Sequence, residues 1–159
     1  MDAMTKPCIG HTHLKVADLE RAIAFWRDVL GMDLTQRYGD QAAFLSWGGY
    51  HHHIGLNTWH SAGGTPPPPR HTGLYHVALL YPTRHALAVA AKRVADAGVR
   101  IYGHADHGVS LALYFDDPDG NGIEIYWDKP QENWPWQADG SLKMGNDRFD
   151  LNALLAEAE

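Results

Sequence analysis

Cysteine is nearly absent: Cys8 is the single copy in 159 residues, which excludes an intrachain disulfide framework and suits a reducing compartment. No apolar run approaches the ~20 residues that a helix needs to cross a bilayer, so no membrane partner is expected. The opening MDAMTKPCIG lacks the apolar core of a secretory signal, which makes a cytoplasmic location the default. Basic residues are also short, 13 Lys and Arg against 19 Asp and Glu, and the net charge of -6 argues against a nucleic-acid partner. The chain is 20% charged and 45% hydrophobic, a globular composition, and its length fits one domain better than two. Histidine is the residue in surplus, with 11 copies, three of them consecutive in GGYHHHIGLNTW at 48–59.

A weak internal duplication organises the chain. HTHLKVADLERAIAFWRDVLG from His11 runs against HVALLYPTRHALAVAAKRVADAG from His76, each starting as a strand and turning into a helix. Asp18 is placed to cap the first helix, Leu19, Ala22, Ile23, Trp26, Val29 and Leu30 follow helical spacing, and Gly31 stops it. In the second copy Pro82-Thr83 opens the helix, Leu87, Ala90, Ala91, Val94 and Ala95 form its apolar face, and Gly98 closes it. Three short strands are expected after each helix: 34–37, 42–47 and 52–59, then 100–103, 110–115 and 122–127. The fold class is therefore α+β, built from two βαβββ repeats at about 8–59 and 74–128. Two half-barrels around a shared cavity, with helices outside, would bury such sheets and bring the matching positions His11 and His76 together. HSAGGTPPPPRHTG joins the copies as a loop, DPDGNG is a tight turn, and 131–159 reads as an irregular arm ending in a short helix from about Asp150.

Chemistry gathers on three strands. His11 alternates with His13 and Lys15, opposite Leu14 and Val16, so it faces away from the helix-side core. His76 holds the same place in the second copy. Glu124 points opposite to its apolar neighbours Ile123 and Ile125, and a carboxylate so placed needs a partner. Two imidazoles and one carboxylate form a set that holds Fe(II) by one face. Taken singly, each histidine reads as readily as a hydrogen-bonded structural residue, and Glu124 as the partner of a Lys or Arg. Their joint placement in the repeat is what raises the metal reading.

GHTHLKVADLERAIAFWRDVLGM, GLYHVALL and DPDGNGIEIYW together resemble the vicinal oxygen chelate superfamily, which includes glyoxalase I, bleomycin-resistance proteins and type I extradiol dioxygenases. The resemblance covers about residues 8–130 and implies a paired βαβββ domain with His11, His76 and Glu124 as metal ligands. Glyoxalase-type members bring a fourth ligand from the last strand of the first repeat, where this chain has Gly55. The HHHIGL segment resembles extradiol dioxygenases instead, which gives His52 a role on bound O2 and requires a bulge or twist near it, since His52 and Gly55 lie three apart. DHGVSLALYFDDPDGNGIEIY resembles the extradiol stretch in which a histidine and a tyrosine precede the last ligand, here His107 and Tyr114, with His104 a competitor for the histidine. His51 and His53 are expected to be structural or pocket-lining, and His13, His60, His71 and His85 receive no role. Trp47, Tyr50, Trp59 and Tyr75 are candidates for the wall of an aromatic pocket and equally for core. The tail ENWPWQADGSLKM resembles the end of the first half of longer, two-part catechol 2,3-dioxygenase-like proteins. The resemblance thus implies an Fe(II)-dependent ring-cleaving dioxygenase, with Mn(II) as the alternative metal, acting on a small aromatic diol with O2 and leaving a homo-oligomer open. The rival readings are a glyoxalase-like isomerase or lyase drawing a fourth ligand from a neighbour such as His53, and a non-catalytic binding protein of the bleomycin-resistance type.

Overall fold

Alternation sets the first element: in β1 (Thr12–Lys15) Leu14 is buried, as is Val16 just beyond it, while His13 and Lys15 are exposed. The structure, a computed structural model, describes residues 7–159. Most of the segment read as lacking a signal core, Met1 to Lys6, lies outside the described residues. The chain divides between Pro66 and Pro67 into two compact units.

In the first unit Asp18 caps α1 (Leu19–Ala24), its side chain accepting the Arg21 N–H at 3.0 Å. The helix continues as one π-helical turn, Phe25–Val29, and Gly31 ends it at φ 76°. Leu19, Ala22, Ile23 and Trp26 are buried as their spacing predicts, and α1 packs against β3 (Ala42–Ser46) and β4 (Ile54–Asn57). With β2 (Asp33–Tyr38) these strands form a mixed sheet in the order β1-β4-β3-β2, β1 and β4 running parallel. The expected strand at 52–59 is shorter than its sequence suggests, because His51 to His53 precede the ladder.

The second unit repeats the order. β5 (Val77–Leu80) leads to α2 (Arg84–Asp96), capped by the Thr83 hydroxyl, and Leu87, Ala90, Ala91 and Val94 are buried on its inner face. β6 (Gly103–Asp106), β7 (Ser110–Asp116) and β8 (Gly122–Asp128) complete a sheet in the order β5-β8-β7-β6. The strand expected at 100–103 is corrected to Gly103–Asp106. Val99 still bonds back to Val94 in the helix, and the ladder with β7 starts where Gly103 meets Tyr114. Asp117 shapes the DPDGNG turn by accepting N–H bonds from Asp119 and Asn121. The arm ends in α3 (Leu151–Ala156), capped by Asp150, with Leu154 fully buried. His85 is exposed, yet its Nδ1 lies 2.8 Å from the Glu157 carbonyl, so it helps dock α3. The result is α+β, two four-stranded mixed sheets with helices. Among the described residues no helix is long and apolar enough to cross a membrane.

Candidate functional site

Register places the second unit's chemistry in one row. Ala78, Glu124, Tyr114 and Gly103 lie side by side across β5, β8, β7 and β6, so their side-chain positions share a face. His76, two residues before Ala78, belongs to that face by alternation. Gly122 lets this happen: a Cβ there would strike the Tyr75 carbonyl, so only glycine allows the chain entering β5 to lie so close to β8.

Glu124 is gripped from both sides. Its Oε2 lies 3.0 Å from His76 Nε2, and its Oε1 is 3.2 Å from the Tyr114 hydroxyl. The side chains are 13% and 29% exposed for Glu124 and His76, so the pair is partly withdrawn from water. Tyr114 in turn lies 2.8 Å from His107 Nε2, and His107 Nδ1 lies 2.9 Å from the Gly145 carbonyl in the arm. Burial first, and the Glu124 charge second, push the Tyr114 phenol up to about 12, so it keeps its proton at neutral pH. Of the two candidate histidines, the structure brings His107 to Tyr114. His104 pairs with Leu113, on the opposite face from Tyr114, and packs edge-on against Phe149 at 4.9 Å.

The first unit presents the corresponding row: His13, Gly55, Phe44 and Gln36 across β1, β4, β3 and β2. Gly55 therefore occupies the place that Glu124 holds in the second copy. No side chain could stand there with His13 as it is, since a Cβ on Gly55 would come 2.8 Å from the His13 ring. Large and small residues are exchanged between the copies: Ala78 leaves room for Glu124, and Gly55 leaves room for His13. That reciprocity gives His13 a packing role that no sequence motif announces.

His52 lies with its ring centroid 4.4 Å from that of His11 and 5.0 Å from that of Phe44, while Gly55 pairs with the same Phe44. Both therefore stand beside one residue despite their odd separation, because His51 to His53 are irregular rather than alternating. The register shift lies on β2, between Leu34 and Gln36, where Thr35 reaches the His51 carbonyl at 2.8 Å. Burial, followed by the nearby His11, lowers the His52 pKa. The other two histidines of the run diverge. His53 Nδ1 meets Ser46 Oγ at 3.0 Å, and His51 stacks on Tyr50 with centroids 4.1 Å apart while its Nδ1 lies 2.7 Å from that of His52. Trp59 stands 5.8 Å from His13, and Tyr50, Trp59 and Tyr75 are exposed rather than core.

These donors suit a divalent metal in part. An imidazole nitrogen and a carboxylate oxygen 3.0 Å apart have the spacing of neighbouring donors, each ~2.1 Å from a common ion. His76 Nδ1 is buried without a hydrogen-bond partner, so Nε2 makes the ring's polar contact while Tyr75 and Tyr114 pack against it at 5.4 and 5.9 Å. Among the described residues no group of three or more His, Cys, Asp or Glu is gathered closely enough to hold an ion. The second unit carries His76 and Glu124, and the first carries His11 with His52 beside it.

Two βαβββ copies, one of them carrying a His-Glu-Tyr cluster on its sheet, define a duplicated α+β scaffold. Residues 8–125 match the Glyoxalase/Bleomycin resistance protein/Dioxygenase superfamily, and the chain belongs to it. It is 38% identical over 151 residues to a catechol-2,3-dioxygenase of Bacillus subtilis, a match covering 94% of this chain and 52% of that protein. The chain thus spans about half the length of that relative. A biphenyl-2,3-diol 1,2-dioxygenase of Rhodococcus globerulus is 30% identical over 131 residues, covering 80% of this chain and 68% of that one. Among solved structures, a glyoxylase/bleomycin resistance protein/dioxygenase domain from Frankia superposes with a TM-score of 0.65 at 22% identity, covering 79% of this chain and 100% of that one.

Proposed function

We propose that the chain is a metal-dependent extradiol-type dioxygenase that opens the ring of a small catecholic aromatic with O2. His11, His76 and Glu124 would hold the metal, Fe(II) or alternatively Mn(II). When bound, the ion supplies a Lewis-acidic, redox-active template on which a chelating diol and O2 can react. The chain's own residues do the rest. Tyr114 keeps its proton and would set its hydroxyl against a substrate oxygen beside Glu124. His107 accepts from and orients that phenol. His52, beside His11 and favouring its neutral form, takes a proton from the diol and returns it to an oxygen of the product.

The observation that supports this reading is the string His107–Tyr114–Glu124–His76, in which a histidine and a tyrosine stand beside the carboxylate that the resemblance to extradiol dioxygenases makes a ligand. A lyase reading needs another donor from the first copy. Gly55 has no side chain to give, and His53, whose Nδ1 meets Ser46, would have only Nε2 to offer. Sequence similarity to two diol dioxygenases points the same way. The test is a panel of catechols given to anaerobically Fe(II)-loaded protein and then exposed to air. A yellow ring-opened product with oxygen uptake is expected. Turnover of methylglyoxal with a thiol, and none of any catechol, would replace the proposal with the glyoxalase reading. Protein that takes up no stoichiometric metal would favour a binding protein.

A further inference from the structure

The C-terminal arm does more than cover the sheet. β6 is the edge strand of the second sheet, and the arm runs along it: Asp106 and Asp147 exchange two backbone bonds of 2.8 and 2.9 Å, and Gly145 N–H donates to the His107 carbonyl at 3.0 Å. Those bonds deliver the Gly145 carbonyl to within 2.9 Å of His107 Nδ1. A carbonyl only accepts, so Nδ1 must carry a proton for the contact to be a hydrogen bond. In a neutral ring Nε2 is then bare, and it faces the Tyr114 hydroxyl at 2.8 Å. The phenol has one proton and two acceptors in reach, Nε2 at 2.8 Å and Glu124 Oε1 at 3.2 Å.

We infer that Gly145 is a positioning residue: its carbonyl fixes His107 as the Nδ1–H tautomer, which draws the Tyr114 proton toward His107 and leaves a lone pair of Glu124 Oε1 uncommitted. With the proton on Nε2 instead, His107 would donate to the phenol oxygen, and the phenol would turn its own proton onto the carboxylate. The arm thereby chooses which way the Tyr114 hydroxyl points. The inference rests on the proposed role of Tyr114 and His107 for its catalytic consequence, although the tautomer itself does not.

The decisive readout is the tautomer of His107 in the full chain, metal-free and ¹⁵N-labelled, at a pH where the imidazoles are neutral. Long-range ¹H–¹⁵N spectra should find the proton on Nδ1, and a proton on Nε2 would overturn the inference. Deleting Met144 to Asn146 withdraws the carbonyl, and in a variant that remains folded by circular dichroism His107 should shift to the Nε2–H form. Retention of Nδ1–H there would show that Gly145 does not set the tautomer. In the metal-loaded protein the same deletion should lower kcat for a catechol about 10- to 100-fold with KM little changed, as expected when a hydrogen-bonding partner behind the reacting groups is lost. An unchanged kcat with a shifted tautomer would equally contradict the positioning role. Absence of catechol turnover in the parent protein, with Nδ1–H observed, would count against the proposed function and not against the tautomer assignment.

Discussion

Glu124 is the residue with most at stake, because its two oxygens face different partners: Oε2 an imidazole at 3.0 Å and Oε1 a phenol at 3.2 Å. Replacing it by Ala should abolish stoichiometric Fe or Mn binding while leaving the circular dichroism spectrum of the fold. Metal content equal to that of the parent protein would remove Glu124 from the ligand set. His52 is distinguished from its neighbours by position, since its ring lies against His11 while His53 is tied to Ser46. His52→Ala should therefore keep the metal and still bind catechol, yet lose turnover by the 10² to 10⁴, roughly, expected of a proton-transfer group. His53→Ala should leave turnover nearly unchanged. If His53→Ala lost the metal and His52→Ala behaved normally, the roles within the histidine run would be reversed.

Strands translate these residues into a site, and the two copies do so with opposite packing. Ala78 beside Glu124 and His13 beside Gly55 are the same register position filled small-large and large-small. Gly55→Ala puts a Cβ 2.8 Å from the His13 ring and should destabilise the protein by about 1 to 3 kcal/mol, as overpacking does. His13→Ala in the same chain should restore most of that loss. A denaturation series on the two single variants and the double variant measures it, and additive effects would refute the contact.

The helix caps Asp18 and Thr83, the stops Gly31 and Gly98, and the DPDGNG turn were legible in the sequence, because each is a local signal carried by a few adjacent residues. Tyr114 was singled out through the family resemblance alone, and that it lies opposite Glu124 is a finding of the structure, set by the regular strands on either side of the tight turn. β6 was misplaced because Gly103-His104-Ala105-Asp106 has little strand propensity and owes its conformation to β7 and the arm. His13 and Gly145 were missed for a related reason: one acts through a cross-strand neighbour and the other through a backbone carbonyl, and neither leaves a mark in the local pattern.

At the level of the whole chain, the superfamily match covers residues 8–125 and the arm lies beyond it, although the 151-residue match to the Bacillus subtilis catechol-2,3-dioxygenase takes in part of the arm as well. The arm is fastened at its far end by Leu154, buried without residual exposure, and by the Arg84–Glu157 ion pair of 2.8 Å. Leu154→Ala should cost about 2 to 5 kcal/mol, the usual range for emptying a buried leucine site, whereas Glu157→Ala at the exposed pair should cost about 1 kcal/mol or less. Chemical denaturation of the two variants compares them, and equal losses would mean that α3 is held by charge rather than by packing.

Ring opening by a dioxygenase has an atomic signature that neither a lyase nor a binding protein can imitate. Fe(II)-loaded protein mixed anaerobically with a catechol and then given ¹⁸O2 should yield a ring-opened product carrying both labelled atoms, measured by mass spectrometry with rapid quenching to limit exchange. A product without label, or no product while the metal remains bound, would contradict the assignment of this chain as an extradiol-type dioxygenase.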